Sequence, residues 1–252
     1  MQQTNRLNIL NAIGFIVMIV VNYLSNALPI GGRTQLDLAE FLGNFFVPAG
    51  FTFSIWGVIY LALLFFLIYS FVKRKDSEVA ENIQSIGYLF LITCILNATW
   101  LFAWHYLQIG VAMLIMAGLL ITLLMIYLNN HNRTLTGTNF WAFKLPFQIY
   151  TGWISVATIA NMAALLTFYN FDGFGIAPQI WGIAMIVIAT ILGITMLFKF
   201  RDFAYPAVII WALFGIYSKR SAIEADDLLM EQVVVGCMVI LAAAIVFRIF
   251  RK

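Results

Sequence analysis

Long apolar runs separated by short polar stretches dominate the chain. A bilayer's hydrocarbon core is about 30 Å thick, so a helix that crosses it needs about 20 apolar residues. Eight runs approach or exceed that length, near residues 8–28, 51–72, 83–106, 109–128, 142–168, 178–199, 203–219 and 229–249. The run at 203–219 is the shortest. The pattern predicts an all-α integral membrane protein with about eight transmembrane helices.

Composition and the placement of charge support this prediction. Charged residues make up 10% of the chain and hydrophobic residues 63%, against about 25% and 45–50% in soluble domains. With eight spans, eleven basic residues lie on one side: Arg6, Lys73, Arg74, Lys75, Arg133, Lys144, Lys199, Arg201, Arg248, Arg251 and Lys252. The other side has Arg33, Lys219 and Arg220. The positive-inside rule places both termini in the cytoplasm and the protein in the cell membrane, and it explains the net charge of +3 without a nucleic-acid partner.

The connection at residues 29–47 is the longest on the predicted outer side. Leu38, Phe41, Leu42 and Phe45 follow one another at i, i+3, i+4 and i+7, which is typical of a short amphipathic helix at the interface. We expect this connection to act as a lid.

The second span opens on a tight aromatic pattern. Pro48 predicts the start of the helix, because its φ is pre-set and its missing N–H falls where helical N–H groups lack partners. Phe53, Trp56 and Tyr60 follow three and four residues apart, so they share a face. Such a face suits a ligand, and it equally suits an aromatic belt at the lipid interface.

Three other spans carry amides and indoles at helical spacing. These are Asn22 and Asn26 in span one, Asn97, Trp100 and Trp104 in span three, and Trp153, Ala157 and Asn161 in span five. A buried amide needs a partner, since an unpaired polar group in hydrocarbon costs several kcal/mol. Bonds to neighbouring helices would satisfy that need as well as a ligand would.

These motifs together resemble the TspO/MBR (translocator protein or tryptophan-rich sensory protein) family. The entry into its second span matches Pro48, Gly50, Phe53, Trp56 and Tyr60 in order, with Ala49 and Phe51 as departures. The Asn97–Trp100 pair and the Trp153–Ala157–Asn161 series are similar to the family's third and fifth spans. The resemblance covers about residues 1–169, and it implies a five-helix unit there followed by a three-helix extension at 170–252.

The predicted topology brings these groups together in the outer half of the membrane, beneath the 29–47 connection. The expected ligand-binding residues are Asn22, Asn26, Phe51, Phe53, Trp56, Tyr60, Asn97, Trp100, Trp104, Trp153, Ala157 and Asn161. An apolar site with a few amide and indole groups suits a flat hydrophobic molecule. The resemblance implies a porphyrin or other tetrapyrrole, or a sterol-like lipid, with a sensory or ligand-handling role. We expect membrane lipids and this small molecule as partners and no required cofactor.

Catalysis finds little support in the residues. The only histidines in the chain are His105 and His131, and no carboxylate lies mid-membrane beside a base. We expect His105 to be an interfacial imidazole in contact with water. Cys94 and Cys237 lie in apolar runs without metal-ligand spacing, so we expect no metal site.

Two alternatives to ligand sensing stay open. A transporter of an apolar small molecule is one, although the chain lacks the mid-span charges and internal repeats common in secondary transporters. A structural subunit of a membrane complex is the other. Small residues at Gly182, Ala189 and Gly193, or at Ala242 and Ala243, suit helix contacts, including those of a homodimer.

Overall fold

The protein is all-helical, and a computed structural model describes residues 2–28, 30–43, 45–222 and 228–251. The helices are α1 (Gln2–Ala27), α2 (Gln35–Phe41), α3 (Ile55–Val72), α4 (Ser77–Ile86), α5 (Leu89–His105), α6 (Ile109–His131), α7 (Gly137–Asn139), α8 (Leu145–Phe168), α9 (Pro178–Phe200), α10 (Ala204–Arg220) and α11 (Leu228–Phe250). Short 3₁₀ turns lie at Ile30–Gly32, Gly50–Ser54 and Gly173–Gly175. A π-helical turn at Phe140–Lys144 joins α7 to α8.

Six helical segments among the described residues are long and apolar enough to cross a membrane: Gln2–Ala27, Gly50–Val72, Ile109–His131, Gly137–Phe168, Pro178–Phe200 and Leu228–Phe250. The pair α4 and α5, bent by 44°, makes a seventh if it counts as one span. The predicted span at 203–219 forms α10, a helix of 17 residues. The all-α membrane class is therefore confirmed, whereas the count of eight stays a prediction.

Two helix boundaries differ from those predicted. The predicted span at 83–106 is broken at Gly87, which adopts φ 56° and caps α4 by donating its N–H to the carbonyl of Ile83. The second span does not begin at Pro48, because its first turn is the 3₁₀ segment Gly50–Ser54 and the α-helix starts at Ile55. Proline fixed the backbone angle there without starting a helix.

The chain forms two compact units. Unit 1 comprises Met1–Gln35 and Ile55–Ile154, and unit 2 comprises Leu36–Ser54 and Ser155–Lys252. The helix α8 thus begins in unit 1 and ends in unit 2. The predicted domains, 1–169 and 170–252, stay a prediction.

The core of unit 1 is a cluster of phenylalanines. Phe66 of α3 meets Phe90, Phe143 and Phe147 edge-on, with ring centroids 5.2, 5.6 and 5.3 Å apart. All four side chains are fully buried. Edge-to-face pairs stabilise beyond their buried area, so the cluster fixes how α3, α5 and α8 pack.

Small residues let the helices of unit 2 approach closely. A Cβ on Gly193 of α9 would lie 2.9 Å from Leu241 of α11, and one on Gly182 would lie 2.6 Å from Phe45. Ala189 between them is also buried. The predicted small-residue face on α9 therefore does make contacts within the chain, whereas Ala242 and Ala243 are exposed.

The predicted amphipathic helix at the 29–47 connection is present as α2. Leu38 and Leu42 are buried in the fold, while Phe41 is 60% exposed. Pro29 and Asn44 lie outside the described residues.

Candidate functional site

The twelve predicted site residues divide between the two units. Unit 1 holds Asn22, Asn26, Trp56, Tyr60, Asn97, Trp100, Trp104 and Trp153, and unit 2 holds Phe51, Phe53, Ala157 and Asn161.

A chain of hydrogen bonds links three helices of unit 1. Nδ2 of Asn22 donates to Oδ1 of Asn97 over 2.8 Å, and Nδ2 of Asn97 donates to the Tyr150 hydroxyl over 3.1 Å. Asn97 is 1% exposed and Tyr150 is fully buried. Helices α1, α5 and α8 are therefore held together by a polar network in an apolar environment. The partner Tyr150 was absent from the predicted set, although it precedes Trp153 by three residues and so shares its face.

An aromatic wall adjoins this network. Trp56 stacks on Tyr60 with ring centroids 5.4 Å apart, and meets Tyr150 and Trp153 edge-on at 5.9 and 6.3 Å. We call Trp56, Asn97, Tyr150 and Trp153, with Asn22, the indole–amide cluster. Trp56 lies on α3 and Trp153 on α8, and the helix faces that carry them meet within unit 1.

The end of α5 carries a second aromatic pair. Trp100 and Trp104 stack with centroids 5.5 Å apart, and both are buried. His105 is also buried, so the expectation of an imidazole in contact with water is wrong. Its Nδ1 lies 2.7 Å from the carbonyl oxygen of Leu101. Because a carbonyl only accepts, Nδ1 carries the proton and Nε2 is the acceptor nitrogen.

Several buried polar atoms in unit 1 have no hydrogen-bond partner among the described residues, and three of them belong to the aromatic residues of α3 and α5. These three are Nε1 of Trp56, Nε1 of Trp104 and Nε2 of His105. The first two are donors and the third an acceptor. An unpaired buried polar group costs about 1–3 kcal/mol, so each of these atoms lowers stability as long as it lacks a partner.

The remaining predicted residues make local contacts within their own units. Asn26 is exposed and donates to the Asn22 carbonyl. In unit 2, Nδ2 of Asn161 donates to the carbonyl of Ala157 over 2.8 Å, which is a bond within α8. Phe51 is about half exposed and packs edge-on against Trp211.

Unit 2 contains a contact that the sequence did not predict. The segment at 49–54 docks on α10, where the N–H of Ala49 donates to the Gly215 carbonyl over 3.0 Å. Nε1 of Trp211 donates to the Thr52 carbonyl over 2.9 Å. In the sequence, the one feature related to this contact is Gly215, a glycine inside an apolar helix. Its role becomes clear only when the 49–54 segment is known to approach it.

The same helix carries Lys219 and Arg220, two basic residues that the predicted topology places on the outer side. Nζ of Lys219 lies 3.7 Å from Oε1 of Glu40. The guanidinium of Arg220 lies 4.8 Å from the centroid of the Phe45 ring. Both cations therefore bind the 36–54 segment, within unit 2, and have a structural role there.

Unit 2 also holds a cavity of about 530 Å³. Its lining includes Phe46, Phe171, Trp181 and Met185, and Asp172 is the one ionisable side chain among its described lining residues. Two of its polar groups are already engaged: Trp181 donates to the Gly173 carbonyl, and Asp172 accepts from the Phe174 N–H. None of the twelve predicted residues lines this cavity.

Replacing Asn97 with leucine is expected to lower the free energy of unfolding by about 1–3 kcal/mol, because the buried Tyr150 hydroxyl loses its amide donor. Thermal unfolding of the purified protein in detergent measures this. Thr99→Val on the same helix is the control, since Thr99 is exposed and bonds only its own helix. Equal melting of the two variants would show that the polar network contributes nothing.

Comparison with known proteins gives one match. The family model described as TSPO-like protein matches residues 8–250. The match extends well beyond residue 169, where the resemblance of the motifs ended. No curated protein and no solved structure matches the chain significantly.

Proposed function

Because the chain belongs to the TSPO-like family of membrane proteins, we propose that it binds a flat hydrophobic ligand at the indole–amide cluster and the adjoining end of α5. A porphyrin or another tetrapyrrole fits this description, and the role is sensing or handling that molecule. The proposal concerns unit 1 alone.

The observation that carries the proposal is the set of three unpartnered polar atoms on Trp56, Trp104 and His105. Two indole N–H groups would donate to acceptor atoms of a ligand, and the imidazole nitrogen would accept from a ligand N–H or O–H. A flat heterocycle with both kinds of group at its edge satisfies all three. Such a ligand is usually oriented by a small number of polar groups placed in an otherwise apolar site.

Rigidity of the cluster also supports binding. Trp153 is buried and held edge-on by Trp56, and the Asn22–Asn97–Tyr150 hydrogen bonds fix the neighbouring helices. A surface already held in one conformation loses little entropy when a ligand binds. Trp56, the half-buried indole of the cluster, is thus suited to stacking against a planar molecule.

A second candidate site is the cavity of unit 2, and its volume favours it. About 530 Å³ lies within the range of small-molecule pockets, about 300–1,000 Å³. Its described lining includes no lysine or arginine and one carboxylate, Asp172. Such a lining suits a neutral sterol-like lipid better than a tetrapyrrole that bears carboxylates.

Trp56→Phe is expected to weaken porphyrin binding by a few-fold to about tenfold, because a lost hydrogen bond contributes about 0.5–1.5 kcal/mol. Its thermal stability should fall little, since the deleted N–H has no partner among the described residues and phenylalanine keeps most of the apolar bulk. Indole fluorescence titrated with protoporphyrin, haem and a sterol measures the affinities. Trp141→Phe is the matched control, because Trp141 is 60% exposed.

The variant Ile176→Trp distinguishes the two sites experimentally, because it places a large side chain at an exposed position of the cavity lining. That variant should lose sterol quenching and keep porphyrin quenching if the assignments above hold. If Trp56→Phe lowers the melting temperature along with the affinity, the indole serves only to pack against neighbouring side chains. No saturable quenching by any of the three ligands would favour a structural role instead.

A further inference from the structure

Three arginine side chains line one cleft in unit 2. Arg201 follows α9, and Arg248 and Arg251 come from the last turn of α11 and the residue after it. With Phe203 and Ile249 they enclose about 390 Å³. We call these five residues the arginine cleft. On the distribution of basic residues, it lies on the predicted cytoplasmic side.

The loop that presents Arg201 is fixed in place. Arg201 caps α9 in the left-handed conformation, with φ 53° and ψ 37°, and its N–H donates to the Met196 carbonyl. The next residue, Asp202, is fully buried, and its carboxylate accepts from the N–H groups of Ala204 and Tyr205 over 2.9 and 3.0 Å. The Asp202 carboxylate therefore caps the start of α10.

The cleft concentrates positive charge, and no residue that the structure describes supplies a matching anion. None of its arginines forms an ion pair with a described residue, and its described lining includes no Asp or Glu. Arg248 donates from Nη1 to the Arg251 carbonyl over 3.2 Å, and Arg251 lies over the Phe247 ring at 5.4 Å. Three guanidinium groups around one cleft repel one another unless an anion lies between them.

One atom of the cleft points to a ligand independently of the charge. Nε of Arg248 is buried and has no acceptor among the described residues. A buried guanidinium N–H without an acceptor is costly, more so than a neutral donor. An oxyanion in the cleft would accept from it.

We propose that the arginine cleft binds the phosphate of an anionic membrane phospholipid. Arginine matches phosphate geometry through paired N–H···O bonds, and basic clefts at the ends of membrane helices bind anionic headgroups. The apolar members Phe203 and Ile249 are exposed, so acyl chains of the same lipid can lie against them. The occupant is a lipid rather than free phosphate, because exposed apolar side chains of α11, Phe247 and Phe250, are neighbours in sequence of the arginines.

The test compares the melting temperature of the full chain in nanodiscs of phosphatidylcholine with increasing fractions of phosphatidylglycerol. Wild type should be stabilised saturably by phosphatidylglycerol. Arg248→Gln and Arg201→Gln should need about tenfold more phosphatidylglycerol for the same shift, and melt as wild type in pure phosphatidylcholine. Arg74→Gln, an exposed basic residue on the same predicted side, should behave as wild type.

Three outcomes would overturn the proposal. Arg74→Gln could lose as much stabilisation as Arg248→Gln, which would indicate general attraction to the charged surface. Inorganic phosphate could stabilise wild type in phosphatidylcholine as much as the lipid does, so the ligand would be a free anion. Both cleft variants could melt at a lower temperature than wild type in pure phosphatidylcholine, which would show that the arginines have partners within the protein.

Discussion

Replacing Gly215 with alanine is expected to destabilise unit 2 by about 1–3 kcal/mol, the usual cost of overpacking a well-packed site. An added Cβ would overlap Oγ1 of Thr52 and lie 2.9 Å from its Cβ and Cγ2. The segment cannot easily move away, because Ala49 and Trp211 hold it to α10 by hydrogen bonds. Thermal unfolding in detergent would detect the change.

Gly236→Ala on α11 is the control, since an added Cβ there meets nothing within 4 Å. It should leave stability unchanged or raise it slightly, as alanine favours helix over glycine. Thr52→Ala should rescue Gly215→Ala in the double variant, because it removes the overlapping Oγ1 and Cγ2. If Gly215→Ala melts as wild type does, the 49–54 segment does not dock on α10 as described.

Replacing Phe66 with alanine is expected to cost about 3–5 kcal/mol, the range for deleting a buried aromatic ring. Phe66 is 1% exposed and is the ring that Phe90, Phe143 and Phe147 all contact. The cavity left among three fixed rings cannot collapse fully, so most of the lost contacts stay lost. Chemical or thermal unfolding in mild detergent gives the free energy.

Phe65→Ala is the matched control on the same helix. Phe65 is 41% exposed and pairs with Tyr69 at 6.0 Å, so its loss should cost far less. Equal losses for the two variants would show that the phenylalanine cluster is not the core of unit 1.

The helices could be predicted from sequence because apolar runs of membrane length have few other interpretations. The break between α4 and α5 could not, since Gly87 lies near the start of the predicted span, just after Gln84 and Ser85, and has no proline beside it. A glycine marks a break only when its backbone adopts a positive φ, and the sequence does not encode that locally.

The indole–amide cluster was predictable only as separate helix faces. Spacing placed Asn97 and Trp100 on one side of α5, but the partner of Asn97 is Asn22, 75 residues away. The second partner of Asn97 is Tyr150, and in the sequence only its position three residues before Trp153 sets it apart. Periodicity thus identifies which face is polar, while partner identity depends on how helices pack.

The C-terminal helices were the least predictable part. Residues 170–252 carried no recognisable motif, yet α10 binds the segment that opens the second span. Lys219 and Arg220 appeared as exceptions to the topology rule, and their partners Glu40 and Phe45 explain them. Long-range pairs of this kind leave no periodic signal in the chain.

The docking of the 49–54 segment has a consequence for how the protein is made. Trp211 lies 159 residues after Thr52 in the chain, and translation adds about 5–20 residues per second. The segment therefore waits on the order of 10–30 s on the ribosome before α10 exists. During that interval Phe51 and the Thr52 carbonyl of the newly made chain lack the contacts that Trp211 supplies in the finished protein.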